Sequence, residues 1–337
     1  MLRFGPLFVA LALVAAAAEE AWGKQHEAFT DADKAGPDFL AQGEYRGKLD
    51  LGDGPKPFGA QVVALGSAKF DLVLYRGGLP GEGWRRGDQR ERASGERATA
   101  ATVFKGPNWK AVIEGHRMNF TADRKELGSL KKVERKSPTL GAKPPAGAVV
   151  LFDSTSVDEF PGAKMTPDDL LMVPATSKRR FGDFQLHLEF RTPFMPTARG
   201  QGRGNSGVYL QNHYEVQILD SFGLEGANNE CGGIYSLQEP AVNMCYPPLA
   251  WQTYDIRFKG PRFEGGKKTE HPRVTIEHNG VNIYRDFEIT KITPGGDKHG
   301  ETADGPLFLQ DHSNPVVYRN IWVVPSTGHA AARRERE

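Results

Sequence analysis

Net charge is nearly absent from this 337-residue chain: 43 Lys and Arg stand against 42 Asp and Glu, a formal charge of +1. A basic excess able to displace counterions from a nucleic acid, or to hold an anionic membrane surface, is therefore missing. Neither nucleic acid nor membrane is expected as a partner. Cysteine is scarce, with two residues in all, and neither belongs to a close pair of metal ligands. After the N-terminus no apolar run is long enough to span a bilayer. Backbone punctuation, by contrast, is plentiful. The 39 Gly and 23 Pro disfavour coiled coils and helical bundles and suit short strands joined by frequent turns. With 39% hydrophobic and 10% aromatic residues, a packed core is affordable, and the length allows two domains.

The chain opens on Arg3 and an apolar run from Leu7 to Ala18, closed by four alanines and the pair Glu19 and Glu20. This reads as a signal peptide over residues 1–23, with cleavage expected after Ala18 or Gly23. A secreted or periplasmic protein is the expectation that follows. In an oxidising compartment Cys231 and Cys245, at the ends of one Gly- and Pro-containing loop, are expected to form a disulfide. For a loop of this size the bond would stabilise by roughly 3 kcal/mol.

A seam runs from Ser137 to Gly147, where hydrophobic residues almost vanish. Residues 24–143 before it show short β-favouring runs at Gln61 to Leu65, Phe70 to Tyr75, Thr99 to Phe104 and Trp109 to Glu114. They read as a small β-rich domain of unknown role. The alternating charges from Arg85 to Arg97 read as a solvated loop. Beyond the seam, Phe184 to Arg191 alternates strictly, with Leu186, Leu188 and Phe190 opposite Gln185, His187, Glu189 and Arg191. One face of this strand is buried and the other polar. The pattern returns at Gly207 to Gln211 and Tyr214 to Leu219. Further strands are expected at Trp251 to Phe258, Arg273 to His278, Val281 to Tyr284, Leu307 to Asp311 and Arg319 to Val324. Asn279-Gly280 predicts a two-residue hairpin. Many antiparallel strands with one-sided apolar faces predict an all-β protein with two stacked sheets, a β-sandwich over residues 147–325. Residues 326–337 read as a polar tail.

The segment Gly204-Asn205-Ser206-Gly207-Val208-Tyr209-Leu210, followed by Tyr214-Glu215-Val216-Gln217-Ile218-Leu219-Asp220-Ser221, resembles the 3-keto-disaccharide hydrolase family. The resemblance opens at Val150-Leu151-Phe152-Asp153 and continues through Gly233-Ile234-Tyr235, Trp251, Asn279-Gly280, Leu309-Gln310-Asp311-His312 and Arg319-Asn320-Ile321. It implies a concanavalin A-like jelly-roll sandwich that acts on oxidised sugars. The region up to Lys143 carries no such likeness.

A sugar site needs carboxylates and amides for hydroxyls, an aromatic for a ring face, and an acid and base. The polar sides of the expected strands supply candidates. Glu215, His312 and Arg191 are the expected catalytic residues. Glu189, Asn205, Tyr209, Gln217, Asp220, Gln310 and Trp251 are the expected substrate-binding residues, converging if the polar face is concave. Glu215 lies between apolar neighbours in its strand, where a carboxylate costs stability unless function or pairing retains it. A retaining glycosidase needs two carboxylates about 5 Å apart, and this strand offers only one, so a partner would have to come from elsewhere, such as Glu189, Asp220 or Glu239. A 3-keto sugar needs a single base to begin, because its ketone acidifies the proton on C2. Glu215 or His312 would take that proton, Arg191 or a divalent metal ion would hold the enolate oxygen, and a second acid would protonate the departing oxygen. No close ligand motif argues for the metal, and no other cofactor is expected. A non-catalytic lectin-like protein, and a glycosidase acting on unoxidised sugar, are the competing readings.

Overall fold

The structure is a computed structural model that describes residues 26–99 and 101–326. The expected signal peptide and all but the first residue of the expected polar tail lie outside the described residues. Eight strands close into a barrel in the order Gly43–Leu49, Lys125–Val133, Arg117–Ala122, Lys110–Glu114, Ala101–Lys105, Arg90–Ala98, Lys69–Arg76 and Lys56–Gly66. Alternation explains its packing. In Lys69–Arg76, Phe70, Leu72 and Leu74 join the barrel's own core, while Val73 and Tyr75 point outward into a second core. Tyr45, Phe104, Phe120 and Leu130 are fully buried beside them, so side chains fill the interior, as expected for a barrel of this size.

The stretch expected as a solvated loop, Arg85 to Arg97, proves to contain the barrel strand Arg90–Ala98. Its sequence hid it because one side faces solvent. Only Ala93 is buried, and Gly95 lies so close under Phe104 that an added Cβ would meet the ring at 2.4 Å.

The second body is a sandwich. Its larger sheet has seven strands, ordered Val149–Phe152, Val317–Pro325, Phe184–Arg191, Gln252–Lys259, Arg273–His278 and Val281–Glu288, with Leu171–Met172 also paired to Val317–Pro325. The smaller has four, ordered Ala175–Phe181, Gly305–Leu309, Ser206–Leu210 and Tyr214–Ile218. Leu186, Leu188 and Phe190 from one sheet and Val208, Val216 and Leu309 from the other share one core. The all-β sandwich expected from alternation is thus observed. Asn279 and Gly280 form the expected hairpin turn, with φ of 52° and 76°.

Barrel and sandwich share that core. Val63, Val73 and Tyr75 of the barrel, and Trp84 from the connection between two of its strands, join the core that holds Phe222 and Met244 of the sandwich. Arginines cross the boundary: Arg86 donates to the carbonyls of Gly226 and Pro240 at 2.8 and 2.9 Å, and Arg92 pairs with Glu225 at 3.0 Å. In the opposite direction, Arg199 of the sandwich donates to Leu65 O at 2.8 Å.

The expected disulfide is not formed. Cys231 and Cys245 are both free and buried. Cys245 donates to the carbonyls of Leu219 and Tyr246 at 3.5 and 3.4 Å, and Cys231 Sγ lies 3.3 Å from the Tyr254 hydroxyl. Main-chain pairing fixes the loop in its place: Gly232 N–H donates to Gln217 O, and Gln217 N–H to Gly233 O, both at 2.9 Å.

Candidate active site

The paired strands Ser206–Leu210 and Tyr214–Ile218 set the site. Their register places Val208 opposite Val216 and Tyr209 opposite Glu215. Because Val208 and Val216 fill the core, alternation sends Gly207, Tyr209, Glu215 and Gln217 to the outer face. That face is roofed by other chain segments, so Tyr209, Glu215 and Gln217 are nevertheless buried.

Tyr209 donates its hydroxyl to Glu215 Oε2 at 2.7 Å, and Gln310 Nε2 donates to the same hydroxyl at 3.1 Å. Glu215 Oε1 lies over Gly207, where an added Cβ would sit 2.3 Å away; glycine is what leaves room for the carboxylate. Burial pushes the Glu215 carboxyl up to about 7, against the smaller downward pull of the Tyr209 hydrogen bond. Burial likewise raises the Tyr209 phenol, helped by the Glu215 charge. Thr293 accepts from Glu215 N–H at 2.9 Å. Beside it Gly295, at φ +85°, lies so near the Tyr209 hydroxyl that a Cβ would approach to 2.6 Å.

The loop from Leu224 to Pro248 borders the same strand. Tyr235 N–H donates to Glu215 O at 3.1 Å. Gln217 reaches Gln201 Oε1 at 3.0 Å, and Asn205 Nδ2 donates to Gln201 O at 2.7 Å. Glu215, Tyr209, Gln310, Gln217 and Asn205 therefore form one neighbourhood. His312 lies half-buried in the turn two residues beyond Gln310. Sequence reasoning missed Gln201, Thr293 and Gly295, because the first sits in a single 3-10 turn, Gly200–Gly202, and the others in a loop, where no periodicity marks them.

The expected convergence of the remaining residues does not occur. Leu186, Leu188 and Phe190 occupy the core, so Glu189 points out from the seven-stranded sheet, the other side of the sandwich from Glu215, while Arg191, the last residue of that strand, lies in a cleft with Asp311, Ser313 and Asn314. Glu189 accepts from Arg319 at 2.6 Å, Asn320 at 2.9 Å and Gly141 N–H at 2.6 Å. Burial alone would raise its carboxyl, but these bonds and His187 hold it down at about 2. His187 contacts Asp255 at 2.7 Å and stacks on Trp322. Arg191 lies 5.1 Å over Trp251, with Arg319 at 3.9 Å from the same ring. Asp220 is buried and paired with Arg203 at 2.7 Å. Among the described residues no group of three His, Cys, Asp or Glu side chains is placed to hold a metal ion.

Comparison with known proteins adds a family. Residues 147–324 match the 3-keto-alpha-glucoside-1,2-lyase-like domain. Two crystal structures from Parabacteroides distasonis, each provisionally described as a glycosyl hydrolase, are similar to this chain. The first is 33% identical, covers 54% of this chain and 85% of its own, and has a TM-score of 0.49. The second is 18% identical, covers 53% of this chain and 94% of its own, and has a TM-score of 0.39. Among curated proteins no relative matches.

Proposed function

The chain belongs to the 3-keto-alpha-glucoside-1,2-lyase-like family, and from that membership we propose that it is an exported enzyme cleaving the glycosidic bond of 3-keto-glycosides and 3-keto-disaccharides by elimination. The observation that carries this reading is the state of Glu215: a buried carboxyl, hydrogen-bonded by Tyr209 and raised to about 7. A base is most effective when its pKa lies near the working pH. An ordinary surface carboxylate would be too weak a base for a carbon acid, even one activated by a ketone.

The scheme needs one proton removed and one returned. Glu215 takes the proton from C2, and the electron pair moves toward the C3 ketone as an enolate. Tyr209 spends its one proton on Glu215, whereas Gln310, with one amide N–H on Tyr209, has a second as a neutral donor for that oxygen. The enolate then expels the C1 substituent, forming the C1–C2 double bond, and His312 protonates the leaving oxygen. Water adding across the double bond gives net hydrolysis. Arg191, on the other sheet, takes no part in these proton transfers. Direct displacement on an unoxidised sugar would need a second free carboxylate about 5 Å away. Glu189, Asp220 and Glu239 are paired with Arg319, Arg203 and Arg86.

Export rests on the basic, apolar and small-residue pattern of residues 1–23. The chemistry is tested with Glu215→Gln on a 3-keto-glucoside. Loss of at least about a hundredfold in turnover, with solvent deuterium no longer entering C2, supports it; unchanged turnover removes Glu215 as the base.

A further inference from the structure

The turn after Gly305–Leu309 has two sides. Gln310 contacts Tyr209, while Asp311, Ser313 and Asn314 line a cleft of about 950 Å³. A second link ties the cleft to the candidate centre: Asn205 N–H donates to Asn314 Oδ1 at 2.8 Å. The volume suits a small-molecule site. One wall is aliphatic, built from Leu170, Met172, Val173 and Met195, and Met172 is 39% exposed. Asp168 and Arg191 also line it, and the segment from His26 to Thr30, with Glu27, forms a further side.

Arg191 is the telling residue. It and Arg319 share the Trp251 ring, but Glu189 neutralises only Arg319. Arg191 makes no hydrogen bond or ion pair with any described residue, although it is half-buried. A guanidinium carries five N–H donors, and Asp168 and Asp31 act on Arg191 only through their charge, so the donors facing the cleft stay open to an acceptor. A ligand in the cleft would supply the acceptors.

Resting on the reading that the reacting sugar sits at Glu215, we propose that this cleft receives the leaving group, and that this group is an apolar, hydroxyl-bearing aglycone such as a phenol. The aliphatic wall takes its ring. Its hydroxyl donates to Asp168 or Asp311 and accepts from Arg191. A second sugar fits less well, because it wants an open aromatic face and Trp251 is overlain by two guanidiniums. An acidic leaving group would face Glu27, Asp168 and Asp311 against the single Arg191.

The test uses unoxidised probes, so that it does not depend on catalysis. Binding of 4-hydroxyphenyl glucoside, methyl glucoside and trehalose, each glucoside in both anomers, is measured calorimetrically with the wild type, Arg191→Ala and Met172→Asp. The phenyl glucoside should bind at least about tenfold more tightly than methyl glucoside. Both variants should remove that margin and leave methyl glucoside unchanged. Met172 is exposed enough for its variant to fold if Arg191→Ala does not. Equal binding of the two glucosides, tighter binding of trehalose, a margin that survives both variants, or no binding of the phenyl glucoside at millimolar concentration overturns the proposal. If the phenyl margin depends on Arg191 but no 3-keto-glycoside is turned over, the cleft stands and the lyase reading fails. If 3-keto methyl and 3-keto phenyl glucosides react with equal kcat/KM, the reverse holds.

Discussion

The Tyr209 hydroxyl lies 2.7 Å from Glu215 Oε2, in a site where both side chains are buried. This contact sets how basic the carboxylate is. Burial raises Glu215 to about 7, and the Tyr209 bond is the one influence pulling it down. Tyr209→Phe should therefore move the acidic limb of the activity profile to higher pH, by about one unit if the bond is worth the usual amount for a charged acceptor. The pH dependence of kcat/KM measures it; a limb shifted to lower pH would contradict the assignment.

The same carboxyl should leave a mark on stability. Its folded pKa is raised above the ordinary value of 4.5, so the native state binds the proton more tightly than the unfolded chain. That contribution is fully present below about 4.5 and is lost as the pH rises through about 7. Glu215→Gln removes the charge, so the variant should be more stable than the wild type at pH 8, by up to about 3 kcal/mol, with little difference at pH 4. Urea unfolding at the two pH values gives the comparison. A variant no more stable at pH 8 would mean that the carboxylate is well solvated there.

Gly207 is predicted to be intolerant for a reason local to the site. A methyl group there would fall 2.3 Å from Glu215 Oε1, forcing the carboxylate aside. Gly207→Ala should lower kcat by on the order of a hundredfold, the cost of misplacing a reacting group by about 1 Å. Steady-state kinetics, with circular dichroism to confirm the fold, checks this.

Asp220 tests structure against binding. It pairs with Arg203 in the interior at 2.7 Å, and Arg203 also reaches Ala64 O of the barrel. Removing one partner of a buried pair leaves the other charge uncompensated, so Asp220→Ala should cost about 3–5 kcal/mol in denaturant unfolding. A fully stable variant with a raised KM would return Asp220 to the substrate.

Alternation made much of this legible. The strands carrying Glu189 and Glu215 were placed because Leu186, Leu188, Val208 and Val216 face a core on every second residue, and Asn279-Gly280 marked its hairpin by chemistry alone. What alternation does not encode is which sheet a strand joins. Glu189 and Glu215 each stand on a polar face, but on opposite sides of the sandwich. The strand Arg90–Ala98 was unreadable because its outer residues are charged and its packing depends on a glycine beneath Phe104. Cysteine spacing suggested a disulfide where main-chain bonds hold the loop. Gln201 and Thr293 belong to segments that only tertiary contact brings to the site.

The central claim is that cleavage begins at an acidified C2 proton. It is tested most directly by incubating the protein with 3-keto-trehalose, 3-keto-lactose and their unoxidised parents in deuterated water, following release of the leaving sugar and label at C2. The account predicts release from at least one oxidised substrate, none from the parents, and deuterium at C2 of the keto-sugar product. Release from the parents at a comparable rate, or a cleaved keto-sugar that keeps its original C2 hydrogen, would contradict it.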